Sequence, residues 1–105
     1  MSVSRQVLTP PRGVSAVAWG RLTLFQQQVY RAIYRIPKGQ TRSYCWVARQ
    51  IGNPAAARAV GNALNRNPFA PLVPCHRVVR SDGSLGGFAG GPSKKRRLLE
   101  AEHQA

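Results

Sequence analysis

Acidic side chains are nearly missing from this chain: 3 Asp plus Glu stand against 16 Lys plus Arg, a formal charge of +13 over 105 residues. Such an excess repels itself in a compact fold and suits a polyanionic partner such as nucleic acid. A basic surface also suits acidic membrane, but no apolar run approaches the roughly 18 residues of a spanning helix, and no membrane association is expected. The N-terminus lacks the apolar core of a signal peptide. Cysteine is scarce as well. Cys45 and Cys75 could form at most one disulfide. Without a secretory context both read as reduced thiols, placing the chain in the cytoplasm (with the nucleoid) or the nucleus. The two Cys and two His do not fall in metal-ligand spacing, so neither metal nor cofactor is expected. The glycine-rich Gly86-Gly87-Phe88-Ala89-Gly90-Gly91 lacks phosphate-loop spacing. No repeats occur, and the length suits one domain with a modest core, expected as a monomer.

Residues 1–22 carry Pro10-Pro11, Gly13 and no sustained period, which predicts a partly ordered arm with a short helix near Ser15 to Trp19. The domain proper is expected over 23–105. A helix begins behind Thr23 as N-cap, with Phe25, Val29, Ile33 and Ile36 at helical spacing and Ala32 alongside. Pro37-Lys38-Gly39 stops it. A second helix is predicted over Tyr44 to Gln50 behind Ser43, with Val47 and Ile51 facing the core and Gly52-Asn53 turning the chain. A third is predicted from Asn53 as cap, with Pro54 in the first helical position, through to about Leu64. Two short helices joined by a tight Gly-containing turn form a helix-turn-helix pattern. Small alanines surround Arg58 on the second of them, so a partner's backbone can come close and Arg58 can project into it. Val78-Val79-Arg80, a turn at Asp82-Gly83 and Leu85 onward read as a β-hairpin. Ser93 is expected to cap a last helix with Leu98 and Leu99 inward. The run Lys94-Lys95-Arg96-Arg97 at its start reads as a solvated face. The fold class is mainly α with a small β-hairpin, a winged-helix-like domain containing a helix-turn-helix.

The chemistry concentrates in Val73-Pro74-Cys75-His76-Arg77-Val78-Val79. A thiol here stands beside an imidazole and a guanidinium, groups that accept its proton or lower its pKa. A buried Cys before a His is on its own more often an inert core thiol. Neighbours on a strand also point to opposite faces, so Cys75 and His76 cooperate only if the chain leaves extended geometry, which Pro74 permits.

Taken together, Ile36-Pro37-Lys38-Gly39, Ser43-Tyr44, Gly52-Asn53-Pro54 into Ala57-Arg58-Ala59-Val60-Gly61, Arg66-Asn67-Pro68, Pro74-Cys75-His76-Arg77-Val78 and Ser81-Asp82-Gly83 to Gly90-Gly91 resemble the active domain of the O6-alkylguanine-DNA alkyltransferases. The resemblance runs in order from about Phe25 to Glu102. It implies that Cys75 attacks the alkyl carbon on guanine O6 in double-stranded DNA, restoring guanine and leaving a thioether, so that each molecule acts once. His76 would take the thiol proton through a bridging water, and Glu102 would orient the imidazole. The base must leave the stack. Arg58 would fill its place from the minor groove, and Tyr44 would turn the nucleotide's phosphate and contact the base. Asn67 would brace the turn behind the recognition helix. The carbonyls of Cys75 and Val78 and the Ala89 amide would read the guanine.

Phe88 stands where the family has tyrosine, keeping an apolar wall and losing a hydroxyl. Cys45-Trp46 stands where small or polar residues are commoner, and the family's N-terminal domain has no counterpart in residues 1–22. The length instead resembles the alkyltransferase-like proteins, which bind alkylated guanine without repairing it and flag it for nucleotide excision repair. Those relatives usually carry tryptophan in place of the nucleophile, whereas position 75 here is cysteine. A DNA-binding module with Cys75 as mere core is the third reading.

Overall fold

A computed structural model describes residues 8–69, 72–82 and 92–104. Its helices are α1 (Ala16–Gly20), α2 (Leu24–Tyr34), α3 (Tyr44–Gln50), α4 (Ala57–Asn65) and α5 (Pro92–Gln104). A two-stranded sheet of β1 (Arg42–Ser43) and β2 (Val78–Val79) and a single 3-10 turn over Cys75–Arg77 complete it. No described helix is long and apolar enough to cross a membrane.

Local chemistry accounts for most boundaries. Thr23 and Gln26 form a reciprocal capping box at the start of α2: the Thr23 hydroxyl accepts from the Gln26 amide, and the Gln26 side chain accepts from the Thr23 amide. Ser43 caps α3 by accepting from the Trp46 amide at 3.0 Å. At the other end of α3, Gly52 adopts φ +75°; its N–H reaches Arg49 O and the Asn53 N–H reaches Ala48 O. This is the Schellman closure, whose left-handed residue favours glycine. It corrects the expected start of the third helix. Asn53 is committed to ending α3 and then to a turn that its carbonyl closes with the Ala56 amide at 3.0 Å, so α4 begins only at Ala57, without a side-chain cap. The last helix likewise includes Pro92, which places Ser93 inside it rather than at its cap.

Packing centres on α2. Val29, Tyr30 and Ile33 are buried there against α3 and α4, joined by Val47, Val60, Leu64, Val73 and Val78. Each fully buried aliphatic side chain contributes about 1.5–3 kcal/mol. Phe25 and Ala32 only flank this core, and Leu98 and Leu99 are half-buried. The small sheet contains a pairing that was not expected. β2 lies parallel to β1, with Arg42 opposite Val78 and Ser43 opposite Val79. The return strand expected from Leu85 onward lies outside the described residues.

The segment before α2 is tied into the same core. Trp19 is 1% exposed, and its indole donates to Leu8 O at 2.7 Å. Buried Gln27 of α2 accepts from the Leu8 amide at 3.0 Å and donates to Trp19 O at 3.1 Å. One side chain thus clamps both ends of the segment. Gln27→Ala strands a buried carbonyl and an amide, and should cost about 1–3 kcal/mol. Thermal unfolding and amide exchange across residues 8–22 measure it; unchanged melting and protection would refute the clamp.

Candidate active site

Cys75 is held from both sides. Asn67, just past α4, donates from its side-chain amide to Val73 O at 2.8 Å and accepts from the Phe69 amide at 2.9 Å. At Pro74 (φ −82°, ψ 69°) the chain leaves extended geometry, and the Arg77 amide closes back on Pro74 O at 3.0 Å. Cys75 and His76 therefore sit on one helical turn, both buried, rather than on opposite faces of a strand. Burial pushes the thiol pKa up, while a hydrogen bond from the Asn67 side chain and the positive charge of Lys95 pull it back.

His76 Nε2 lies 2.8 Å from Glu102 Oε2 on α5. The same carboxylate takes Arg77 Nε at 3.0 and 3.1 Å and Arg77 Nη2 at 2.6 Å, and Arg77 Nη1 donates to Ile36 O at 2.8 Å. Burial alone would raise the Glu102 pKa, but the hydrogen bonds from Arg77 and His76 and their charges carry it down to about 2. An ionised carboxylate accepts only, so Nε2 is the donor to it and Nδ1 is the ring nitrogen that Glu102 does not engage. Nδ1 is buried and has no hydrogen-bond partner among the described residues.

The geometry redirects one expectation. The guanidinium expected beside the thiol faces Glu102 instead, and the cation whose charge the thiol feels is Lys95. Lys95 belongs to the run read as a solvated face, yet it is 1% exposed. Its helical spacing held the signal: Leu98, Leu99 and Glu102 follow it at three, four and seven positions, on one stripe.

Tyr44 is half-buried at the start of α3. Burial raises its hydroxyl pKa, nearby Arg80 lowers it and Cys75 raises it further. With Ala57, exposed Arg58, Gly61, Asn62, Asn65 and Arg80 it lines an open cavity of about 410 Å³ on the helix-turn-helix. Arg80 and Asn65 were not among the residues expected from sequence. Both carbonyls expected to read a base already hold one partner: Cys75 O accepts from the Val78 amide, and Val78 O accepts from Lys95 Nζ at 2.6 Å. A carbonyl oxygen can accept two hydrogen bonds. Phe88 and Ala89 lie outside the described residues.

The family model "6-O-methylguanine DNA methyltransferase, DNA binding domain" matches residues 24–104. Methylated-DNA–protein-cysteine methyltransferase of Mycobacterium tuberculosis is 56% identical over 82 residues, covering 78% of this chain and 50% of the relative. The crystal structure of Mycobacterium tuberculosis OGT in complex with DNA superposes with a TM-score of 0.78 at 55% identity, over 80% of this chain and 52% of that one. The structure of S. pombe Atl1 in complex with damaged DNA containing O6-carboxymethylguanine superposes with a TM-score of 0.70 at 34% identity, over 78% of each chain. The chain spans about half the length of the curated relatives it matches. A mainly helical domain with a small parallel sheet, bearing Pro74-Cys75-His76-Arg77-Val78 on its active-site turn, thus belongs to the DNA-binding-domain family of the 6-O-methylguanine DNA methyltransferases.

Proposed function

We propose that this chain repairs O6-alkylguanine in double-stranded DNA by a single transfer of the alkyl group to Cys75. The observation that carries the reading is the buried Cys75–His76 turn, whose imidazole is oriented by a carboxylate that Arg77 keeps ionised. The thiol proton passes through a bridging water to His76 Nδ1. The sulfur then forms its bond to the alkyl carbon as the carbon–O6 bond breaks, and the bonding pair stays on guanine. The proton held by His76 returns to the leaving base, so the products are a thioether and guanine. Carboxylate, imidazole and thiol follow the general pattern of orienting group, base and attacking atom.

Delivery falls to the helix-turn-helix. Arg58 enters the stack from the minor groove in place of the extruded nucleotide, and Tyr44 turns its phosphate and contacts the base. Asn67 keeps the turn behind α4 in register with Cys75. Val78 and Ala89 contribute backbone contacts, and Phe88 an apolar wall. Sites of action are DNA compartments, the nucleoid-bearing cytoplasm or the nucleus, and the chain works as a monomer without cofactor.

The superposition on S. pombe Atl1, which covers the same share of both chains, favours a second reading: a lesion sensor that hands alkylguanine to nucleotide excision repair. The sulfur at position 75 favours transfer. Incubation with a duplex carrying O6-methylguanine, followed by intact mass, separates them. Repair adds the mass of one methylene, which Cys75→Ala abolishes while binding persists; tight binding with unchanged mass would establish the sensor instead.

Arg58→Ala should slow repair of duplex DNA by roughly tenfold or more, since extrusion costs a few kcal/mol. Its reaction with a free O6-alkylated guanine base should stay at the wild-type rate. Equal duplex rates would remove Arg58 from the flipping role.

Glu102→Gln keeps the side chain's shape and removes its charge. The folded pKa of Glu102 is depressed from 4.5 to about 2, so its stabilisation is complete above 4.5 and is lost as pH falls toward 2. The variant should lose about 1–3 kcal/mol near neutrality. Its stability should fall less steeply than wild type between those two pH values. Parallel acid-unfolding curves for the two proteins would contradict the assignment.

A further inference from the structure

Arg80 has no part in the transfer as proposed above, yet the fold brings it to the cavity that the transfer uses. It follows β2 directly. Because β2 runs parallel to β1 with Val79 opposite Ser43, the residues that come next, Arg80 and Tyr44, leave the sheet at the same end. Both line the open cavity of about 410 Å³, and α4 supplies the rest of its lining, Arg58 and Asn65 included. The Arg80 charge is felt on two other elements. On α3, burial raises the Tyr44 hydroxyl pKa and Arg80 draws it back; on α5, burial lowers the Lys95 pKa and Arg80 lowers it further. Arg80 itself is exposed, so its guanidinium is open to a ligand. None of the chain's three acids lines the cavity. Two arginines around one phenol, with no carboxylate in the lining, make a rim suited to an anion. A guanidinium's planar fork matches phosphate oxygens in particular.

We infer that Arg80 binds the backbone phosphate of the extruded nucleotide, the phosphate that Tyr44 turns, and holds the displaced strand while Arg58 fills the stack. This rests on the repair reading above and deepens it. Once inserted among the bases, Arg58 is not available to that phosphate. The phosphate that swings out with its nucleotide sheds part of its counterion atmosphere and approaches a half-buried phenol. An anion moved there without a partner opposes extrusion, because desolvating a charge is costly. A guanidinium already standing at the end of the sheet neutralises it on arrival. Two parallel N–H donors also fix its orientation, which a single point charge does not. Arg80 thereby draws the flipping equilibrium toward the extruded state.

The experiment pairs Arg80→Gln with DNA neutralised at a single phosphate. Binding to a duplex carrying O6-methylguanine is measured on the Cys75→Ala background, where transfer cannot consume the lesion. Arg80→Gln should weaken binding by about tenfold at low salt, through loss of a charge-assisted pair. It should also make the slope of log affinity against log salt shallower by about 0.9. Arg80→Lys should restore the slope but only part of the affinity, since an ammonium lacks the fork. A neutral methylphosphonate is then placed in turn on each side of the lesion. At one of the two positions it should cost the protein with Arg80 about tenfold and the Arg80→Gln variant far less. Additive losses at both positions overturn the proposal, as does an unaltered salt slope in a folded Arg80→Gln protein. The arm with Arg80 intact needs no substitution at that position: if neither methylphosphonate weakens binding, the proposal equally fails. Failure in these binding arms leaves methyl transfer to be judged on its own mass assay. Coupling between Arg80 and one phosphate, with no transfer from methylated duplex to the Cys75 protein, would count against the repair reading alone.

Discussion

The Glu102 carboxylate is the joint on which the site depends. It is shared by His76 and Arg77, and Arg77 extends the connection to the carbonyl of Ile36 just past α2. Three parts of the chain that are distant in sequence are thereby fixed to one another: the end of α2, the active-site turn and α5. Two of the ligands are charged or chargeable and mostly buried, so the interaction has a large desolvation cost to offset. Several short hydrogen bonds from one guanidinium offset it, a geometry that arginine's planar fork supplies and lysine cannot. The consequence reaches the chemistry. A carboxylate held ionised takes its hydrogen bond from Nε2 of His76 and leaves Nδ1 as the ring nitrogen available to the proposed proton transfer.

The thiol is held on the opposite logic. It is buried in the apolar core, with a hydrogen bond from the Asn67 side chain and the charge of Lys95 opposing the effect of burial. Tyr30 belongs to the same neighbourhood. Its hydroxyl donates to Ala63 O at 2.6 Å, and burial first, then the adjoining Cys75, carry its pKa up to about 12. Tyr30 is thus a neutral donor at any physiological pH, committed to α4, and it supports the site by packing. Asn67 does comparable work at shorter range, because its backbone amide reaches Leu64 O at the end of α4 while its side chain reaches the loop leading into Cys75. The end of α4 and the loop into Cys75 are therefore linked by one residue rather than by the whole fold.

How much of this was legible in the sequence follows from how local each cause is. The capping of α2 by Thr23 and of α3 by Ser43 depends on groups within a few residues, and both are readable as written. The start of α4 was not, because the Asn53 amide is taken by the preceding helix, a competition that a list of good cap residues does not reveal. The pairing of β2 with β1 joins residues far apart in sequence, and no turn signal announces it. Tyr30 was passed over beside the regular spacing of Val29 and Ile33. Lys95 was misread because a run of four basic residues suggests solvent, while the helical stripe that buries one of them needs Leu98, Leu99 and Glu102 to be read together. Within the site, adjacency placed Cys75 and His76 correctly on one segment, but the partner of Arg77 lies on another helix.

The excess of positive charge bears on the site as well as on the partner. With a formal charge of +13, a buried cation such as Lys95 adds to self-repulsion. Cys75 is the group that becomes anionic during the proposed chemistry; burial raises its pKa, while the Asn67 hydrogen bond and the charge of Lys95 lower it. In the proposed transfer, proton removal by His76 would create an anion where the charge of Lys95 is already felt. Preorganised charge of that kind is worth most where water is excluded, and extrusion of a base into the cavity beside Tyr44 would supply that exclusion at the moment of transfer.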